Sequence, residues 1–162
     1  MDVSLWVADH VCWRTETNDE YQALIETLRT DDHFQLLIES EVGGRLIATF
    51  QLATPIRSST HKVDVVEIPS PKAGRPYSRG LEHVEFVIPS PTKDLTSPWN
   101  DEKHQQAFQH LQAKHPDVKW NTKATQKEIN PDLSVQVEGV GSAKFHLVAL
   151  KDVIEAEKDT IK

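Results

Sequence analysis

The sequence predicts an α+β fold built from two successive βαβββ modules. Three observations carry this reading. Each half opens with a β-rich run, continues with one amphipathic helical stripe and ends in several short β-rich runs. Each half also opens on a related motif, Asp9-His10-Val11 and then Glu82-His83-Val84, which marks an internal repeat of roughly 70 to 75 residues. Between the halves, residues 69–80 are rich in Pro, Gly, Ser and basic side chains and read as a connecting loop.

The elements follow in order. Residues 5–14 form the first strand, with Val11 and Trp13 expected on a helix-facing side and His10, Cys12 and Arg14 opposite. Thr17 and Glu20 have capping-box spacing. Tyr21, Leu24, Ile25 and Leu28 then fall on one stripe of a helix over 18–30. Two β-rich runs, 34–42 and 45–52, flank Gly43-Gly44 and predict a hairpin. Simple alternation puts Glu39, Glu41, Thr49 and Gln51 on the face away from the helix. Residues 61–68 form the fourth strand, with Val66 and Ile68 inward and Glu67 opposite.

The second module repeats the pattern over 81–150. Its first strand, 81–88, places Val84, Phe86 and Ile88 inward, and His83 and Glu85 opposite. Ser97-Pro98 reads as a helix start, with Phe108 and Leu111 marking the buried stripe and Pro116 closing the helix. Short strands are expected at 118–122, 133–138 and 143–150, the last with Phe145 and Leu147 inward and His146 opposite. A terminal helix is expected within 151–162. The organisation is thus one domain, 1–162, with modules at 4–68 and 81–150.

Composition narrows the function. The chain has 162 residues, 18 Lys or Arg and 25 Asp or Glu, for a net charge of −7. That acidic balance argues against a nucleic-acid partner, which needs a basic footprint. No apolar run approaches the roughly 20 residues of a membrane span. Met1-Asp2-Val3-Ser4 lacks the basic and apolar regions of a signal peptide. Cys12 is the lone cysteine and forms no internal disulfide, in keeping with a cytoplasmic setting. As a lone thiol it reads as a buried core group ahead of a ligand or nucleophile.

The chemistry gathers on the second face. His10, Glu67, His83 and His146 share the same parity, and each module contributes one candidate on its first strand and one on its last. Three imidazoles and a carboxylate suit a divalent transition metal such as Zn²⁺, Fe²⁺, Mn²⁺ or Ni²⁺. His33, His61, His104, His110 and His115 lack that pattern and are expected at the surface or on helix flanks. Arg14 either grips a substrate carboxylate or pairs with Glu39, Glu41 or Glu85. Glu85 serves as a general base or supporting acceptor, or pairs with a basic neighbour. Thr49 and Gln51 are candidate substrate-lining residues. Lys72, Arg75, Tyr77 and Arg79 form a basic loop that reads as a solvated linker ahead of a lid or an anion guide.

Several segments resemble the YecM family within the vicinal oxygen chelate (glyoxalase, bleomycin-binding protein and dioxygenase) superfamily. They are Ala8-Asp9-His10 with Arg14, Glu39 with Gly44-Arg45, and Val66-Glu67-Ile68-Pro69 with Pro71. Gly80-Leu81-Glu82-His83-Val84-Glu85 and Lys144-Phe145-His146 complete the set. The resemblance implies that the modules pair into a curved, half-open mixed sheet with helices outside. It implies a metal site at His10, Glu67, His83 and His146, and a metal-dependent isomerase, lyase or dioxygenase acting on a small oxygen-chelating substrate. The alternative is a non-catalytic metal- or ligand-binding module. Glyoxalase-type enzymes carry a carboxylate where His146 stands, so the implied chemistry departs from theirs. Pairing within one chain or between chains of a homodimer is left open.

Overall fold

The computed structural model describes residues 1–89 and 99–160. Its elements are β1 (Val7–Arg14), α1 (Asn18–Arg29), β2 (Phe34–Glu41), β3 (Leu46–Arg57), β4 (Lys62–Pro69), β5 (Gly80–Val87), α2 (Glu102–Lys114), β6 (Leu133–Val137), β7 (Gly141–His146) and α3 (Leu150–Thr160). The class is α+β with mixed pairing: β1 runs parallel to β4, while the β2–β3, β3–β4 and β6–β7 pairs are antiparallel. No helix among the described residues is long and apolar enough to cross a membrane.

The chain divides into two compact units. One comprises His10–Val84, the other Met1–Asp9 with Glu85–Lys162, so β1 and β5 each contribute residues to both.

In the His10–Val84 unit the strand order is β2-β3-β4-β1-β5. Thr17 caps α1, its side chain accepting from the Glu20 backbone N–H at 3.1 Å. The helix stripe of Tyr21, Ile25 and Leu28 packs on Ala48, Phe50, Leu52, Val66 and Ile68. Phe34 meets Phe50 edge-on at 6.4 Å between centroids. Gly43 and Gly44 take φ of 58° and 78°, the left-handed pair that a two-residue hairpin requires, and the Val42 N–H donates to the Arg45 carbonyl at 2.8 Å.

Three orientations differ from simple alternation. A register shift between Leu36 and Ile38 sets Glu39 opposite Ala48 and Glu41 opposite Leu46, both on the helix-facing side rather than the expected second face. There Glu39 accepts from the Tyr21 hydroxyl at 2.7 Å and pairs with Arg29. The bulge therefore takes Glu39 off the expected second face. Trp13 is 40% exposed rather than inward, because the apolar cluster under α1 reaches Val11 and does not include Trp13.

In the other unit the order is β1-β5-β7-β6. Phe145 is its aromatic centre, with Trp6, Phe86 and Trp120 at 5.7, 5.8 and 5.6 Å. α2 is capped by Asp101, whose side chain accepts from the His104 backbone N–H at 3.1 Å. The expected Ser97-Pro98 start lies outside the described residues. His104, expected at the surface or on a helix flank although it shares the helix face of Phe108 and Leu111, is fully buried, with its Nδ1 3.0 Å from the Asp101 carboxylate. The expected strand at 118–122 is reduced to one isolated bridge between Asn121 and Ser134. The Val118 and Trp120 backbone N–H groups close local turns instead of joining a ladder.

Candidate metal centre

Strand register builds the site in the His10–Val84 unit. β1 and β4 align Cys12 with Glu67, and β3 and β4 align Thr49 with Glu67 and Gln51 with Val65. Side chains at aligned positions share a face, so His10, Cys12, Arg14, Thr49, Gln51 and Glu67 lie on one side. Val66 and Ile68 lie on the other, under α1. The expected parity of β1, β3 and β4 is present at these positions.

Ligand atoms of His10, Glu67 and His83 lie within 4.8 Å of one another. His83 Nε2 stands 4.0 Å from Glu67 Oε2. That is too long for a hydrogen bond, yet two metal–ligand bonds of roughly 2.0–2.2 Å can span it. The donor set of two imidazoles and one carboxylate fits a divalent transition metal and leaves coordination positions beyond these three residues.

Glu82 determines which His83 nitrogen can serve. Glu82 Oε2 lies 3.2 Å from His83 Nδ1, 2.6 Å from Arg14 Nε and 3.5 Å from Cys12 Sγ. Burial alone would raise the Glu82 pKa, but hydrogen bonds from His83 and Arg14 and the positive charge of Arg14 outweigh it and hold the carboxyl down at about 2. An ionised carboxylate only accepts, so His83 Nδ1 carries the proton and Nε2 is the metal-competent nitrogen. Cys12 is fully buried with its thiol toward Glu82, as a core thiol would be. Cys12, Glu82 and His83 also form a ligand-capable group, sharing His83 with the first.

Arg14 is 9% exposed, pairs with Glu82 and stacks over Tyr77 at 4.7 Å from the ring centroid. Its partner is thus none of the three carboxylates anticipated from sequence. Arg79 is tied back to α1 through Glu20 at 2.5 Å, while its backbone N–H donates to Glu16 at 3.2 Å.

The other unit holds its own buried polar cluster. His146 Nδ1 donates to the Val148 carbonyl at 2.6 Å, which leaves Nε2 as the nitrogen able to ligate. That Nε2 stands 3.4 Å from Asp9 Oδ2 and 3.7 Å from Glu85 Oε2. Asp9 accepts from the Leu150 backbone N–H at 2.9 Å, at the start of α3. Glu85 pairs with Lys144 at 2.8 Å.

Sequence reasoning missed Glu82 and Asp9. Both carboxylates sit immediately before a candidate histidine. Adjacency of acid and imidazole was the available signal, and parity masked it by assigning the two residues to opposite faces.

The chain is similar to known proteins over most of its length. A family model described as YecM protein matches residues 1–157. Protein YecM of Escherichia coli is 26% identical over 167 residues, covering 98% of this chain and 82% of that protein. An uncharacterised protein of Haemophilus influenzae is 31% identical over 102 residues, 61% of this chain. Those residues are 51% of the relative, so the matched part spans about half its length. Among solved structures, one described as Structural Genomics, Protein EC4020 superposes with a TM-score of 0.71 at 24% identity, covering 97% of this chain and 80% of its own. A methylmalonyl-CoA epimerase superposes at 0.56 with 13% identity, over 87% and 94%. The fold is that of the vicinal oxygen chelate superfamily.

Proposed function

The chain belongs to the YecM family, and on that premise we propose that it binds one divalent transition metal through His10, Glu67 and His83. The approach of these three ligand atoms within 4.8 Å is the observation that carries the reading. Glu82 supports it by holding the His83 ring through Nδ1. His146, the fourth ligand expected from sequence, lies in the other compact unit, where its Nε2 faces Asp9 and Glu85. When bound, the metal supplies Lewis-acid polarisation of a small substrate that chelates through two oxygens.

The remaining residues of this chain handle the rest of the substrate. Arg14, stacked on Tyr77 and neutralised on one edge by Glu82, turns its other edge to a substrate carboxylate. Thr49 and Gln51 line the same face. The metal-dependent reaction proposed is that of an isomerase, lyase or dioxygenase. The ion pair of Glu85, the base expected from sequence, with Lys144 favours the second reading, a non-catalytic metal-binding module, because that carboxylate is already engaged.

Metal uptake tests the proposal. Saturating Zn²⁺ or Mn²⁺ at about 100 times Kd should stabilise the native state by about 2.7 kcal/mol. That corresponds to a Tm rise of about 5–10 °C for a domain of this size. His10→Ala, Glu67→Ala and His83→Ala should each lose most of this rise, while His110→Ala, an exposed residue of α2, should keep it. Equal uptake by His83→Ala and His110→Ala refutes the assignment.

A further inference from the structure

Arg45 follows the Gly43-Gly44 turn, immediately before β3. Its Nε and Nη1 are buried and have no hydrogen-bond partner among the described residues, and the same holds for Arg14 Nη1. Burial disfavours the Arg45 charge and the Arg14 guanidinium repels it, so the Arg45 pKa is lowered. Tyr77, Cys12 and Glu67 act in the opposite sense. Lys72 adds a third cation near the hairpin: its Nζ lies 3.4 Å from where a Cβ at Gly43 would stand.

This arrangement is unfavourable for the chain on its own. Two guanidiniums repel each other while buried N–H donors go unused. Two acids of the same unit already have other partners or roles. Glu82 is engaged by Arg14 and His83, and Glu67 belongs to the candidate metal centre. A planar or tetrahedral oxyanion would satisfy the open donors and offset the repulsion, because a guanidinium fork matches carboxylate and phosphoryl oxygens.

Resting on the metal centre above for its neighbour, we propose that Arg14 and Arg45 form an oxyanion subsite. The small molecule bound here then carries a carboxylate or phosphoryl group in addition to its metal-chelating oxygens. Arg45 is the specificity-determining residue of this subsite.

Calorimetric titration of the chelator-treated protein tests the subsite without relying on the metal. The probes are inorganic phosphate and propionate, with chloride at matched ionic strength as reference. Wild type should bind at least one oxyanion, and which one binds distinguishes a phosphoryl from a carboxylate ligand. Arg45→Gln should weaken that binding at least tenfold. Arg45→Lys, a point charge without the fork, should fall between, and Arg57→Gln, exposed at the end of β3, should match wild type. Without anion, Arg45→Gln should melt at or above the wild-type temperature, since it removes a half-buried, repelled cation. Equal anion binding by wild type and Arg45→Gln, or no preference over chloride, overturns the proposal. A lower Tm of the anion-free variant, or its loss of metal uptake, also overturns it by marking Arg45 as structural. Metal uptake by the His83→Ala protein is read separately, so the subsite and the metal centre fail independently.

Discussion

Replacing Glu82 by Gln separates the orientation of His83 from its presence. The amide keeps the size of the carboxylate and can still accept from Nδ1, but it removes the charge that fixes the proton there. Loss of a carboxylate that orients a ligating histidine typically costs 10- to 100-fold in metal affinity, about 1.4–2.7 kcal/mol. At a fixed saturating metal concentration the Tm gain should shrink by about 3–10 °C. The Arg14–Glu82 pair is lost as well. The Glu82 side chain is 34% exposed, so that pair accounts for only about 1 kcal/mol of metal-free stability. The assay is competition against a chromogenic chelator, with metal-free melting curves read alongside to remove the stability contribution. A Glu82→Gln protein that binds metal within twofold of wild type, while His83→Ala has lost it, would refute the orienting role.

Two further predictions concern the frame. Phe50 is fully buried beneath α1 and meets Phe34 edge-on, so Phe50→Ala should cost about 3–5 kcal/mol in denaturant unfolding; a loss below about 1 kcal/mol would mean that the α1 cluster is not the core of its unit. Asp101 has its pKa lowered mainly by the hydrogen bond from the His104 side chain, with the His104 backbone N–H adding to it. A depressed carboxyl stabilises the fold above its unfolded pKa of about 3.8 and loses that contribution as pH falls through the folded value. Asp101→Ala should cost about 0.5–2 kcal/mol at neutral pH and flatten the acid limb of the Tm–pH curve; an unchanged acid limb would show that the cap does not titrate with folding.

Much of the fold and part of the site were legible because they rest on local periodicity. The α1 stripe, the Gly-Gly hairpin and the face shared by His10 and Glu67 each follow from spacing alone. The failures have a common cause in features that break the period. One extra residue at Leu37 turned Glu39 toward Tyr21 and Arg29, a change that strict alternation cannot register. His104 looked like a flank residue because its partner Asp101 was not recognised as the cap of α2. Glu82 and Arg45 were hidden for a different reason. Their roles depend on side chains from separate strands meeting in space, and a long flexible side chain reaches groups that the parity of its Cβ does not foretell.

Elemental analysis of the purified protein, run beside His83→Ala, is the most direct measurement. One transition-metal ion per chain in wild type, lost in the variant, is the predicted result. Wild-type protein that holds no metal, and gains no thermal stability from Zn²⁺, Mn²⁺, Fe²⁺ or Ni²⁺, would contradict the assignment of His10, Glu67 and His83 as a metal centre.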